Sequence, residues 1–311
     1  MRKLPLNSSH FPFFSENQER IFKKTGRCVS VQELIIFSML VLFFDCTTPA
    51  QTIRSPISAA YAGVGALSNN HVDVFCVASN QAALTKVNHA CAGVFSEKRF
   101  MLKELGFYDA TVAIPTHSGN FGFDGRYLGF SDYNETQLGL AYARNVGSKI
   151  DLGVQFNYYA VRIAGYGNAS SINFELGTIL HLTDNLNVGV HVYNPLGSTL
   201  GRNGEEKLAS LYSLGIGFEG SRNFFFSIEL AKEEDKPPNV NAALQYKFLP
   251  QLLARGGIST STSSMYLGIG FEWKSMRLDA TASYHPQLGI TPGLLLLVPL
   301  SAKQESKEDT K

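Results

Sequence analysis

Charge is scarce in this sequence, and so is any apolar run long enough to cross a bilayer as a helix. Its 311 residues are 17 % charged, with a formal net charge of +1, against roughly a quarter charged in ordinary soluble domains. A balance this close to neutral provides no basic surface, which excludes a nucleic-acid partner. The 7 histidines and 4 cysteines are scattered, without His-x-x-x-His or Cys-x-x-Cys spacing, and no Gly-x-Ser-x-Gly elbow occurs. The expectation is therefore no catalytic residue, no cofactor and no metal: a protein that is not an enzyme.

The single apolar run, Leu34 to Phe44 (LIIFSMLVLFF), falls well short of the ~20 residues of a spanning helix but suits the core of a signal peptide. Lys23, Lys24 and Arg27 precede it as a positive region, and Thr48 and Ala50 follow at the positions of a small-residue cleavage site. Residues 1–50 thus read as an N-terminal extension and signal peptide, cut between Ala50 and Gln51; a buried core helix or strand is the alternative. Cys46 could suggest a lipoprotein, but Asp45 stands where a small residue is expected. Export would remove Cys28 and Cys46 and leave Cys76 and Cys91, as a disulfide or as two free thiols.

From 89 to 300 the dominant period is two. Ile150, Leu152, Val154, Phe156 and Tyr158 alternate with Asp151, Gly153, Gln155 and Asn157, so a strand here has one greasy face and one polar face. The same alternation runs through Leu186–Tyr193, Tyr212–Glu219 and Met265–Trp273. Mean hydropathy is −0.02, as expected when an apolar face is hidden in alternation. The reading is an all-β protein: a transmembrane antiparallel β-barrel of about fourteen strands, centred near Gly93, Ala110, Phe123, Leu140, Val154, Leu176, Val188, Leu214, Phe226, Ala242, Arg255, Leu267, Ala280 and Leu295. A soluble β-sandwich also alternates and is the competing fold. Tight breakers such as His117–Asn120 and Thr183–Asn185 alternate with longer polar stretches at Gly165–Ser171, Gly197–Lys207, Lys232–Asn239 and Ser259–Ser264, as in barrels with short turns at one end and loops at the other.

The polar face is rich in glycine: Gly153, Gly177, Gly215, Gly217, Gly268 and Gly270, with Gly139 and Gly189. Glycine weakens a strand unless something approaches closely or the sheet must bend. Candidates to approach lie in 51–88, a stretch without period two that reads as an N-terminal plug. It carries Ala60, Gly63, Gly65, Asn80 and Leu84, with short helices expected around Ala59–Leu67 and Asn80–Val87; a free arm is the alternative. Asp124, Arg126, Asp151, Glu175, Glu219, Glu229, Lys247, Glu272 and Asp279 should face inward as a mixed-sign network, joined by His181 and His191. Residues 301–311 form a polar tail expected to be disordered.

The order of these pieces resembles the FadL-like outer-membrane proteins. The matching motifs are Ala60-Tyr61-Ala62-Gly63-Val64-Gly65-Ala66, Asn80-Gln81-Ala82-Ala83-Leu84, Leu140-Ala141-Tyr142-Ala143-Arg144, Asn194-Pro195-Leu196-Gly197 and His285-Pro286-Gln287-Leu288-Gly289. Within that group the chain is most similar to the PorV/PorQ-type barrels of Bacteroidetes type IX secretion. Gln81 and Ala83 stand where the family has Pro and Gly. The resemblance implies outer-membrane lipid as the environment and a scaffold or accessory role in secretion or surface attachment, with an envelope or secreted protein partner gripped by the loops. It leaves open the alternative of a FadL-like channel for a hydrophobic ligand. The inward positions, polar apart from Ile179, Tyr193 and Tyr266, weigh toward the scaffold.

Overall fold

The computed structural model describes residues 53, 64–201 and 206–300. The leader, the cleavage site at Ala50 and Gln51, the plug candidates Ala60 and Gly63, and the tail 301–311 lie outside the described residues. Among the described residues sixteen strands follow one another: β1 Cys91–Lys98, β2 Gly106–Thr116, β3 Gly119–Gly129, β4 Tyr133–Val146, β5 Ile150–Ile163, β6 Gly167–Thr183, β7 Leu186–Tyr193, β8 Thr199–Leu200, β9 Glu206–Lys207, β10 Leu211–Ser221, β11 Phe224–Glu233, β12 Asn239–Leu249, β13 Leu252–Ser259, β14 Ser264–Trp273, β15 Met276–His285 and β16 Gly289–Pro299. All but β8 and β9, which pair with each other in a loop, form one closed antiparallel barrel of 14 strands. Each of the fourteen expected centres falls within one barrel strand. The seam joins β1 to β16, from Cys91↔Pro299 to Glu97↔Gly293.

Burial is inverted relative to a water-soluble fold. Along β5 the polar or small residues Asp151, Gly153, Gln155 and Asn157 are buried, while Leu152, Phe156 and Tyr158 are exposed. Leu267 and Ile269 are 64 % and 62 % exposed, whereas Gln155 and Asp124 are 0 % exposed. A continuous apolar exterior of this extent in water would aggregate; in a bilayer it is the favourable surface. This burial pattern also disposes of the sandwich, whose apolar faces would be covered.

Aromatic residues gather at the two edges of the apolar band. Phe121 and Tyr142 (ring centroids 5.1 Å apart), Tyr246 and Phe248 (4.7 Å), and Trp273 lie near the tight-turn end. Tyr108, Tyr127, Tyr158, Tyr212 and Tyr284 lie toward the other end. Amphipathic rings at both interfaces are the girdles of a membrane barrel. The barrel should therefore run on an SDS gel at different mobilities with and without boiling. Unchanged mobility together with recovery in the soluble fraction would contradict the membrane reading.

One end of the barrel is closed by short turns, 117–118, 147–149, 184–185, 222–223, 250–251 and 274–275, and both barrel termini lie there. The connections at the other end are 99–105, 130–132, 164–166, 194–210, 234–238, 260–263 and 286–288. The stretch Gly165–Ser171 is not the long loop its composition suggests. Strand β6 begins at Gly167, and Ala169 and Ser171 pair with Val161 and Tyr159. There β5 and β6 run past the apolar band, where small polar residues carry no desolvation cost, so composition alone does not separate strand from turn.

Candidate functional site

Several glycines of the inner face lie beneath the chain from Val64 to Val87. This segment turns at 64–67 and then makes two short 3-10 helices, Val74–Ala78 and Gln81–Lys86. Each is started by a side chain that caps an orphan amide. Asp73 accepts from the Phe75 amide at 3.1 Å, and Asn80 from the Ala82 amide at 3.1 Å. The second helix matches the expected one near Asn80–Val87. The expected helix around Ala59–Leu67 lies mostly outside the described residues; within it Val64–Leu67 form a turn, and a separate helical turn follows Asp73.

Of the six glycines singled out from sequence, four face this segment. A Cβ on Gly153 would lie 2.6 Å from the Gln81 carbonyl carbon and 2.9 Å from Ala82 Cα; on Gly177 it would meet the Asn80 amide oxygen. On Gly215 and Gly217 it would lie 2.5 Å from Leu67 Cδ1 and 2.7 Å from Leu67 Cβ, respectively. Gly268 and Gly270 do other work. Gly268 lies opposite Arg255 and Thr281 in the ladder, and Gly270 makes room for Asp279 and Leu253. Gly65 turns the chain, its carbonyl accepting from the Ser68 amide at 3.0 Å, and Leu84 is wholly buried.

Polar side chains of the wall hold the segment at many points. Asn187 donates to the Leu67 carbonyl at 2.9 Å, and Asn120 to those of Leu84 and Val87 at 2.5 and 2.8 Å. Glu219 accepts from the Ser68 hydroxyl at 2.6 Å, from the Asn70 amide at 3.0 Å, and from Asn69. Asp151 accepts from Thr85 at 2.7 Å and pairs with Lys86 at 3.5 Å and His181 at 2.9 Å. The most heavily charged point is Asp73, which binds Arg255 at 3.0 Å and Arg277 at 2.6 Å; Arg277 also reaches Asp279 at 3.1 Å. Asp73, Arg255 and Arg277 were not among the candidate site residues. The signal in the sequence was an Asp directly before an apolar run, an N-cap pattern.

Gln81, which replaces the family's proline, is fully buried and donates to Glu175 at 2.5 Å, while His191 donates to the same carboxylate oxygen at 2.8 Å. Replacing Gln81 with leucine should remove one of these donors from a buried carboxylate, at a cost of about 1–3 kcal/mol. Urea unfolding of the detergent-solubilised barrel would measure it, and a midpoint equal to that of the native chain would refute the role.

Beyond the segment the inner face stays polar. Gln155 donates to Asp124 at 2.9 Å, Asn157 to Glu175 at 2.7 Å, and Asn173 to the Tyr193 hydroxyl at 3.0 Å. Arg126 pairs with Asp124 at 3.0 Å. Toward the loop end Glu135 collects the hydroxyls of Tyr133 and Tyr159 at 2.7 and 2.9 Å, and the amide of Ile53 at 2.9 Å. Ile179, Tyr193 and Tyr266 face inward and are buried, as expected. A cavity of about 50 Å³ remains between Leu67, Asn80, Ser213, Glu229 and Asn241. A far larger concavity, about 560 Å³ and almost wholly apolar, lies on the outer wall. Among the described residues no group of three or more His, Cys, Asp or Glu could hold a metal ion. Cys76 and Cys91 are buried free thiols. At the loop end, mutual hydrogen bonding raises the Lys207 ammonium pKa and lowers that of the Glu234 carboxyl.

No family model and no curated protein matches the chain. Solved structures do. The CymD monoaromatic hydrocarbon channel aligns with TM-score 0.55 and 12 % identity over 80 % of this chain and 97 % of its own. A Pseudomonas aeruginosa FadL homologue aligns with TM-score 0.52 and 11 % identity over 76 % and 96 %. The Pseudomonas putida toluene transporter TodX aligns with TM-score 0.52 and 10 % identity over 75 % and 96 %. At these identities the likeness is one of fold: that of FadL-type outer-membrane barrels.

Proposed function

We propose that this protein is an outer-membrane channel that passes small hydrophobic molecules. The observation that carries this reading is the match over nearly the full length of a monoaromatic hydrocarbon channel and of a toluene transporter. It reverses the weighting toward a secretion scaffold that the sequence suggested. The loop end would face the exterior and the tight-turn end the periplasm, as in bacterial barrels generally. Residues 64–87 would then be a plug across the periplasmic half. The inner face favours compact cargo: a long acyl chain gains about 0.8 kcal/mol per buried CH₂ only where it meets apolar groups, and here it would meet Gln, Asn, Asp and Glu. The same polar, heavily bonded interior supports a second reading, a scaffold whose work is done by the loops at 194–210 and 234–238.

Uptake separates the two. Cells carrying the protein should take up labelled toluene faster than cells lacking it, with little gain for a long-chain fatty acid. Equal uptake in both strains, with a stoichiometric protein partner recovered from solubilised membranes, would establish the scaffold instead.

A further inference from the structure

The outer-wall concavity is unusual in its floor. On a convex lipid-facing wall studded with Leu, Ile and Phe, four adjacent strands present small outward residues: Ser96 on β1, Ala110 on β2, Gly125 on β3 and Thr136 on β4. Ala110 and Gly125 pair directly, Ser96 pairs with Tyr108 and Thr136 with Tyr127, so the four share one outward face with two tyrosines set among them. Leu138 and Leu294 wall the hollow. It lies in the half of the barrel nearer the loop end.

The rim at that end has a different chemistry. Lys98 faces outward on β1, two residues beyond Ser96, and pairs in the ladder with Gly106. Tyr108 stands 6.4 Å from Tyr127, ring to ring. A Cβ on Gly106 would lie 3.4 Å from the Tyr108 hydroxyl and 3.6 Å from the Lys103 carbonyl. The hydroxyl therefore reaches the level of Lys98 and Lys103. Among the described residues neither lysine makes an ion pair, whereas Arg99, between them in the chain, pairs with Glu97 at 2.7 Å.

We infer that this surface seats one outer-leaflet lipid with a phosphorylated headgroup: an acyl chain fills the hollow, and Lys98 and Lys103 hold the phosphate at the rim. An apolar trough that opens onto two unneutralised ammonium groups and a tyrosine pair, at the depth where headgroups lie, complements an anionic amphiphile and no neutral one. A membrane-exposed hollow also admits a long chain without crossing the polar interior. The site is independent of any cargo passing through the lumen.

The test is lipid retention by the full-length barrel purified from outer membranes, with extracted phosphorylated lipid quantified by mass spectrometry. Gly125→Leu fills the floor, and it is sterically allowed. A Cβ there meets only Leu138 Cδ2 at 3.5 Å and the Ala110 carbonyl at 4.0 Å. The second variant is Lys98→Glu with Lys103→Glu, which reverses the rim. Heat-modifiable mobility confirms that each variant folds. The native barrel should retain phosphorylated lipid in stoichiometric amount and both variants severalfold less, with toluene uptake unchanged. Equal retention by all three would reduce the lipid to a general annulus and overturn the site. So would a second copy of the chain covering the hollow, or a bound neutral hydrocarbon indifferent to the lysine reversals.

Discussion

Replacing Asp73 with alanine should cost the folded barrel about 3–5 kcal/mol, the scale for leaving a buried charge without its partner. Asp73 is the shared acceptor for two guanidinium groups, at 3.0 and 2.6 Å, and the Arg255 side chain is 0 % exposed. Asp279 already binds Arg277, at 3.1 Å. Asp73 also caps Val74–Ala78, so the change removes a helix start as well. Urea unfolding in detergent should show the loss. Adding Arg255→Met to Asp73→Ala should recover part of it, because the buried cation that lost its Asp73 partner is then gone. Full native stability in the single variant would mean that the Asp73 cluster does not anchor the segment.

Gly153→Leu and Gly217→Leu should each cost roughly 1–3 kcal/mol through overpacking, and more in combination. What meets the new side chain ranks the sites. At Gly153 and Gly217 it meets main chain, the Gln81 carbonyl carbon at 2.6 Å and the Leu67 carbonyl carbon at 3.0 Å, which cannot swing aside. At Gly215 it meets the tip of the Leu67 side chain at 2.5 Å, which can. Gly215→Leu should therefore be the mildest of the three. Thermal unfolding gives the order, and single-channel recording adds a second readout, since expulsion of 64–87 from the periplasmic half should raise conductance. If deleting that segment left both stability and conductance unchanged, the plug proposal would fail.

The barrel was legible in the sequence because its signal is local. A residue's face is set by its parity along the strand, and lipid on one side with a polar interior on the other writes that parity into Leu152, Val154 and Phe156 against Gly153, Gln155 and Asn157. The turns were legible for the same reason. The position of 64–87 was not. Its 3-10 turns carry no period, and the contacts that place it join residues far apart in the chain, as Asp73 and Arg255 are, 182 positions apart. The small inward glycines announced that something approached four of them, but Gly268 and Gly270 look identical in sequence and serve the wall's own side chains. The outer hollow left no trace either. Ser96, Ala110, Gly125 and Thr136 are unremarkable one at a time, and only the register aligns them.

The β1–β16 seam has a consequence for the order of assembly. Gly93, in the middle of β1, lies under Phe75, its missing Cβ leaving room for the ring at 2.7 Å. The residues just upstream of the first strand thus occupy the space that the last strand must close around. Once Cys91 pairs with Pro299, the wall is continuous, and 64–87 is threaded rather than inserted: it can no longer arrive from the side. Pairing the ends of the barrel is also the contact of longest sequence separation, hence the slowest to form. A segment that is late could then reach its place only through the open tight-turn end, and its chain should fold more slowly than one that closes around it.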